Sequence, residues 1–192
     1  MMTIHSAVPA DAPRLLEIYS YYVEKTAITF EYDVPSVEEF ESRIRNTLKK
    51  YPYIVIEKDD RIIGYAYAGT FINRAAYDYS AEVSIYVDID YHGHGAGRLL
   101  YESIGSALKD MNITNLYACI GVPAEREDEY LTFNSMNFHK HMGYDPVGRF
   151  KKCGYKFNRW YDMVWMEKII GQHISDPPSV QKYGQIMAAI DR

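Results

Sequence analysis

The residues best suited to chemistry lie in one short stretch, where a β-rich run is followed by glycines and then by a helical pattern. The run covers residues 81–87, the glycine-rich loop covers 93–97, and Leu100, Ile104 and Leu108 recur at helical spacing. In such a unit, backbone N–H groups and the helix N-terminus can bind a phosphate. Glycine has no Cβ, so a ligand can approach the backbone closely. The stretch favours a phosphate site, although a lone glycine-rich loop is more often a simple turn.

Two common phosphate-binding motifs do not fit this loop. A P-loop requires Gly-Lys-Ser/Thr at the start of the helix, whereas Gly97 is followed by Arg98 and Leu99. A dinucleotide fingerprint requires Gly-x-Gly-x-x-Gly after the first strand of a βαβ unit, whereas these glycines alternate in the middle of the chain. The remaining interpretation is a pyrophosphate site of another family.

Glu82 is the candidate general base, because it lies in an apolar run where desolvation would raise the pKa of its carboxyl group. The alternative is an exposed strand carboxylate with no role in the reaction. Four histidines, at positions 92, 94, 139 and 141, could suggest a metal site. They lack a supporting Cys or carboxylate pattern, so we expect no metal.

The elements that must position these residues can be predicted from local patterns. Asp11 is expected to cap one helix, and Ser36-Val37-Glu38-Glu39 matches a capping box for the next. The order β-α-α-β-β-β-α-β-α-β-β predicts a single mixed α/β domain. The predicted strands cover residues 3–8, 53–56, 62–67, 81–87, 116–120, 146–153 and 161–166, with Gly154 between the last two, and a helix covers 134–141 before Gly143.

Composition limits the class of protein. The formal net charge of −5 argues against a nucleic-acid partner. No apolar run is long enough to span a membrane, and the N-terminus lacks a secretory signal, so we expect a cytoplasmic protein. Cys119 and Cys153 are expected to be buried thiols. Residues 1–170 are predicted to form the domain, and 171–192 a loosely ordered tail.

Residues 91–101, Tyr-His-Gly-His-Gly-Ala-Gly-Arg-Leu-Leu-Tyr, resemble the acetyl-CoA pyrophosphate loop of GNAT acetyltransferases, Gln/Arg-x-x-Gly-x-Gly/Ala. Residues 82–87, 135–144 and 154–162, with the pair Phe30-Glu31, resemble the phosphinothricin acetyltransferase-like branch. There are two departures. His92 replaces the usual Gln or Arg, and Thr132, after an acidic insertion at 125–129, replaces the usual Asn.

This resemblance implies a GNAT fold, with a mostly antiparallel central sheet flanked by helices, acetyl-CoA as co-substrate and a homodimer. It also implies that Glu82 acts as the base. His139 is the second candidate catalytic residue, because it occupies a helix position where many relatives carry a Tyr that protonates the departing thiolate. It could donate that proton, hold the substrate or be a packed structural residue. The residues expected to bind the cofactor are Ile85, Tyr86, Val87, His92, Gly93, His94, Gly95, Ala96, Gly97, Arg98 and Ser135. Those expected to bind substrate are Phe30, Arg74, Tyr77, Trp160 and Tyr161.

The predicted activity is transfer of an acetyl group from acetyl-CoA to the amino group of a small molecule by direct attack on the thioester. The expected substrate is an amino acid or an amino-acid-like toxin of the phosphinothricin or methionine sulfoximine type. Two alternatives stay open: a protein or peptide N-terminal acetyltransferase, and a catalytically silent acyl-CoA-binding module. Fold alone does not separate them.

Overall fold

The computed structural model describes residues 1–185 of the chain. Strands and α-helices follow one another as the sequence predicts, with three short 3₁₀ turns between them. The strands are β1 (Met2–Ser6), β2 (Tyr53–Lys58), β3 (Arg61–Thr70), β4 (Ser80–Val87), β5 (Asn115–Pro123), β6 (Asp145–Lys156) and β7 (Arg159–Ile169). The helices are α1 (Ala12–Lys25), α2 (Val37–Leu48), α3 (Ala96–Asp110) and α4 (Asn134–His141).

The strands form one sheet in the order β1-β2-β3-β4-β5-β7-β6. Every neighbouring pair is antiparallel except β4 and β5, which run parallel. The predicted fold class, a mostly antiparallel sheet flanked by helices in a single domain, is confirmed.

The two faces of the sheet carry different cores. On one face, α1 and α2 cover an aromatic cluster that includes Tyr19, Tyr22, Tyr53 and Tyr65. On the other face, α3 packs its Leu100, Ile104 and Leu108 against aliphatic residues of the sheet, and α4 adds Met136 and Phe138. Successive side chains of a strand point to opposite faces of the sheet. Val83 and Val87 of β4 therefore join the α3 core, while Tyr86 packs edge-on against Tyr19 and Tyr22.

The last hairpin turns later than the sequence suggested. Strands β6 and β7 are joined at Phe157 and Asn158, both with positive φ, and Gly154 lies inside β6. Gly154 has a packing role, because a Cβ there would come within 2.3 Å of the Phe30 ring. The expectation that Gly154 separates the two strands was wrong.

Of the two predicted helix caps, one forms and the other does not. Ser36 caps α2 by accepting a hydrogen bond from the Glu39 N–H, as predicted. Asp11 precedes α1, but its carboxylate accepts from the Val8 N–H and makes no cap bond to α1. Its side chain therefore stabilises the preceding 3₁₀ turn.

The expectation of buried thiols was wrong, because Cys119 and Cys153 are both exposed. Along β5, Ala118 and Ile120 point into the α3 core, so Cys119 between them points to the opposite face. Cys153 belongs to β6, the edge strand of the sheet, which is exposed along most of its length.

The described part of the tail, residues 171–185, differs from the loose segment that was expected. Tyr183 is buried, its N–H donates to the Lys50 carbonyl, and the Gln181 N–H donates to the Met111 carbonyl. Non-periodic segments can still dock through a few anchoring side chains, and periodicity does not reveal these. No helix in residues 1–185 is both long and apolar enough to cross a membrane.

Tyr183→Ala tests whether the tail stabilises the domain. Loss of a buried aromatic side chain should lower the free energy of unfolding by about 1.5–3 kcal/mol and Tm by roughly 3–12 °C. Tyr183→Phe is the matched control, since it keeps the ring, and should melt near the wild type. Thermal unfolding followed by circular dichroism measures both. Equal Tm values for Tyr183→Ala and wild type would contradict the docking.

Candidate active site

The site is built around a separation between β4 and β5. Their pairing covers Ser80–Glu82 against Asn115–Tyr117, and beyond Glu82 the two strands diverge. A cavity, here called the strand gap, lies between residues 83–86 of β4 and 118–121 of β5. Strand β5 keeps its pairing with β7 along the whole of this length. The edge of β4 that faces the gap can therefore hydrogen-bond an extended, amide-bearing ligand.

The glycine loop lies beside this gap, at the N-terminus of α3. Gly93 and Gly95 have φ values of 78° and 87°, and a Cβ on either would meet no atom within 4 Å. The space above both residues is open to a ligand. The first N–H groups of a helix have no partner within it and carry partial positive charge. Together these features fit a pyrophosphate.

A second cavity, here called the loop cavity, joins the glycine loop to the strand gap. It is lined by most of the residues predicted to bind the cofactor: Ile85, Val87, His92, Gly93, Gly95, Ala96, Gly97, Arg98 and Ser135. Ile28, Ile85 and Ser135 line both cavities. The two cavities therefore form one route from the helix terminus to the space between the strands. Tyr86 lines the gap itself, and His94 lines neither cavity.

Gly97 differs from the other two loop glycines. A Cβ at this position would lie 3.3 Å from the Phe138 ring of α4. Its small size allows α3 and α4 to approach each other beside the loop cavity, whose wall includes Phe138.

The His92 ring is held against the end of β4. Its Nε2 lies 3.0 Å from the Val87 carbonyl oxygen and 2.9 Å from the Tyr22 hydroxyl oxygen. A carbonyl can only accept, so Nε2 carries the hydrogen in this arrangement. Nδ1 is then the ring nitrogen that remains for a phosphate. It could donate a hydrogen bond to the phosphate only if the ring were an imidazolium. Replacement of the usual Gln or Arg by His92 therefore removes a hydrogen-bond donor to the phosphate whenever the imidazole is neutral.

Glu82 lies at the mouth of the gap, on the opposite face of the sheet from α3 and α4. It is half-buried, and burial raises the pKa of its carboxyl group above the ordinary value. Ser84, two residues further along the same face, lines the gap. Two residues of a strand span about 7 Å, so Glu82 can receive a proton from an amine at the gap through one bridging hydroxyl or water.

His139 lies on the other side of the gap and is 4% exposed. Its Nδ1 is 2.7 Å from the Ser135 carbonyl oxygen, and its Nε2 is 2.6 Å from the Tyr101 hydroxyl oxygen. Burial lowers the pKa of His139, against the opposing effect of the Ser135 carbonyl, so the ring is neutral near pH 7. Tyr101 was not predicted from the sequence, where it reads as one more apolar position of α3.

The predicted substrate residues fall into separate groups. Phe30 stacks on Tyr161, whose buried hydroxyl donates to Asp128. Trp160 is exposed and packs against Tyr155 of the same hairpin. None of the five lines the strand gap or the loop cavity.

Arg74 and Tyr77 form a second group in one turn, and aromatic contacts link Tyr77 to the strand position of Glu82. Both are exposed, in the turn between β3 and β4. Tyr77 contacts Phe71 edge-on, Phe71 stacks on Tyr117, and Tyr117 is the register partner of Glu82. An aromatic surface therefore leads from this turn to the candidate base.

The segment between α1 and α2 covers the gap from one side. The Ala27 N–H donates to the Tyr130 carbonyl, and the buried Lys156 ammonium donates to the Thr29 carbonyl at 2.8 Å. These bonds hold Ile28, which lines both cavities. Within residues 1–185, no group of three or more His, Cys, Asp or Glu side chains is placed to bind a metal.

Residues 4–165 match the family described as acetyltransferase (GNAT) domain. The chain belongs to the GNAT acetyltransferase family. It is an acetyl-CoA-dependent N-acetyltransferase, and the residues that line the loop cavity and the strand gap suit the chemistry of that co-substrate. Acetyl-CoA carries a pyrophosphate between its adenosine end and an amide-bearing arm that ends in the thioester.

Known relatives include a phosphinothricin N-acetyltransferase from Alcaligenes faecalis, which is 31% identical over 82% of this chain and 77% of its own. A solved phosphinothricin acetyltransferase from Sinorhizobium meliloti, in complex with AcCoA, is 29% identical with a TM-score of 0.84, covering 95% of both chains. A ribosomal-protein-alanine N-acetyltransferase from Brucella melitensis is 30% identical with a TM-score of 0.79, covering 88% of this chain and 99% of its own.

Gly95→Ala tests the loop as the pyrophosphate site. The added methyl would occupy the open space above the loop, so affinity for CoA should fall at least about tenfold. Backbone strain at positive φ should also cost roughly 1–2 kcal/mol of stability. Isothermal titration calorimetry with CoA measures the affinity.

Gly143→Ala is the matched control, because Gly143 has a φ of 84° and lies at the far end of α4. It should lose similar stability and keep its CoA affinity. Equal CoA affinities for Gly95→Ala and Gly143→Ala would exclude the loop as the site.

Proposed function

We propose that the protein acetylates the primary amine of a free amino acid or an amino-acid-like compound, and that Glu82 is the general base. The observation that carries the proposal is the placement of Glu82 at the mouth of the strand gap, on the face opposite the loop cavity. Acetyl-CoA would enter from the α3–α4 side. The amine would reach the thioester from the Glu82 side.

In this arrangement, Glu82 takes a proton from the substrate ammonium, since only the neutral amine can attack the thioester carbon. Its raised pKa suits this role, because a base with a pKa nearer the operating pH removes a proton more effectively. Backbone N–H groups of β4 along the gap would donate to the carbonyl oxygen as it becomes negative. Residues 84–86 are the candidates, because they line the gap where β5 no longer pairs with β4.

Two lines of support favour an amino-acid-like substrate. The relatives from Alcaligenes faecalis and Sinorhizobium meliloti are named for phosphinothricin, an amino-acid-like toxin. In this chain, Arg74 is exposed at the end of the aromatic surface that leads to Glu82, where its guanidinium could pair with a substrate carboxylate. Methionine sulfoximine belongs to the same chemical class.

Protein or peptide N-terminal acetylation is the second candidate. The observation that favours it is the similarity to the ribosomal-protein-alanine N-acetyltransferase. A peptide substrate presents an α-amine without a free carboxylate nearby, so it would not use Arg74 as an anchor. The two candidates therefore differ in their dependence on that residue.

We further propose that the protein is a cytoplasmic homodimer. Two free thiols fit a reducing compartment. Strand β6 is an open edge of the sheet and exposes Val147, Phe150 and Tyr155. Exposed apolar residues on an unpaired edge are typical of a surface that pairs with another chain.

Glu82→Gln tests the base. We expect kcat to fall roughly 10²–10⁴-fold, the usual contribution of a positioned base, while the Kd for acetyl-CoA stays unchanged because Gln keeps the shape. The raised pKa places the acidic limb of the wild-type kcat/KM profile above pH 4.5, with activity lost as the pH falls through that pKa. In Glu82→Gln, kcat/KM should depend less on pH over this acidic range.

Glu57→Gln is the matched control. Glu57 is a carboxylate of the same sheet, on β2, and lines neither cavity. It should behave as the wild type. A Glu82→Gln variant with near-wild-type turnover from about pH 6 to 9 would remove Glu82 as the base.

A thiol-release screen tests the substrate class. Free amino acids, phosphinothricin, sulfoximines, polyamines and short peptides are compared with acetyl-CoA as donor. We expect amino acids or their analogues to give the highest kcat/KM, and Arg74→Ala to raise KM for them with little change in kcat. Faster turnover of peptides, unaffected by Arg74→Ala, would favour the second candidate.

A further inference from the structure

The Tyr101–His139 pair lies in the wall of the strand gap, which shares Ile28, Ile85 and Ser135 with the loop cavity. Both side chains line the gap, and Ser135, the third member of the group, lines both cavities. Tyr101 is 5% exposed and His139 is 4% exposed. A thioester that extends from the glycine loop into the gap would bring its sulfur to this group.

The hydrogen bonds determine which atoms carry protons. The Ser135 carbonyl can only accept, so the hydrogen of the neutral imidazole is on Nδ1. Nε2 then has a lone pair and accepts the Tyr101 O–H. His139 therefore has no N–H to offer the gap. The Tyr101 hydroxyl has one hydrogen, which Nε2 accepts, so the pair can donate to a ligand when that hydrogen turns from Nε2 to the ligand.

We propose that Tyr101 donates the hydrogen bond that stabilises the leaving thiolate, and that His139 is a positioning residue that acts through Tyr101. The inference rests on the proposed acetyl transfer. It changes the role predicted for His139 from a proton donor to an acceptor that holds the Tyr101 hydroxyl beside the gap until the thiolate takes over its hydrogen bond.

Tyr101 keeps its proton over the whole reaction, and the protons and electron pairs are accounted for as follows. Glu82 takes one proton from the substrate ammonium, and the neutral nitrogen forms the C–N bond. The C–S bond then breaks, and its electron pair goes to the sulfur, which accepts the Tyr101 hydrogen bond. The second proton that the nitrogen loses ends on the sulfur, giving CoA thiol and the amide. A thiolate is a charged acceptor and attracts the O–H more strongly than a neutral imidazole does.

Tyr144 offers a matched control within the same aromatic cluster. Its ring lies 5.7 Å from that of Tyr101, and its buried hydroxyl makes no hydrogen bond within the described residues. Tyr101→Phe and Tyr144→Phe therefore remove the same atom from similar surroundings. Only the first changes a residue that lines the gap.

The first measurement is the single-turnover rate of acetyl transfer to the best amine found for the wild type. Tyr101→Phe should slow it about 10- to 100-fold, the range expected for a hydrogen bond to a charged group, and Tyr144→Phe should not. His139→Leu should cause a loss of similar size, while His139→Gln, which keeps an acceptor, should recover part of it. The double variant Tyr101→Phe/His139→Leu should be no slower than Tyr101→Phe alone.

The second measurement compares binding of CoA with that of desulfo-CoA, which lacks the sulfur, by calorimetry at about pH 9, where an ordinary thiol is largely ionised. Wild type and Tyr144→Phe should prefer CoA, and Tyr101→Phe should lose that preference while still binding desulfo-CoA. Retained desulfo-CoA binding shows that the variant is folded.

Equal rates and equal CoA preference for Tyr101→Phe and Tyr144→Phe would overturn the inference. Additive losses in the double variant would overturn the positioning role of His139. Failure of the underlying activity is distinguishable, because the wild type itself would then release no thiol with any amine.

Discussion

The architecture of the site depends on one constraint: β4 and β5 are parallel neighbours that stop pairing after three residues. Strand β5 pairs with β7 to its end through its other edge, so beyond Glu82 the divergence leaves unpaired the two edges of β4 and β5 that face each other. Exposed backbone groups at such an edge need hydrogen-bond partners, which an amide-bearing ligand can supply. The strand gap is therefore a break in the sheet that a substrate can complete.

The break also separates two chemical environments. On the α3–α4 side, helix N–H groups, glycines and apolar side chains suit a long anionic co-substrate. On the other side, Glu82 is half-buried beside Tyr117, which connects through Phe71 to the exposed Tyr77. Because the gap passes through the sheet, reactants from the two sides can meet without sharing an entrance. The segment around Ile28, held by Lys156 and Tyr130, helps to enclose the meeting point.

Much of the fold and of the candidate cofactor site could be predicted from the sequence, because both rest on local signals. Hydrophobic periodicity predicted the strands and helices, and the loop motif predicted many of the residues that line the loop cavity. Features that depend on tertiary contacts were not accessible. Tyr101 has the same helical spacing as a core residue, and only its hydrogen bond to His139 distinguishes it. The exposure of Cys119 and the docking of Tyr183 likewise follow from neighbours distant in sequence.

The most direct test of the central claim is a crystal structure of the protein with acetyl-CoA bound. The account predicts the pyrophosphate on the N–H groups of residues 93–98, the pantetheine arm alongside β4, and the thioester in the strand gap between Glu82 and Tyr101. A cofactor bound elsewhere, or a thioester outside the gap with β4 and β5 paired beyond Glu82, would contradict it.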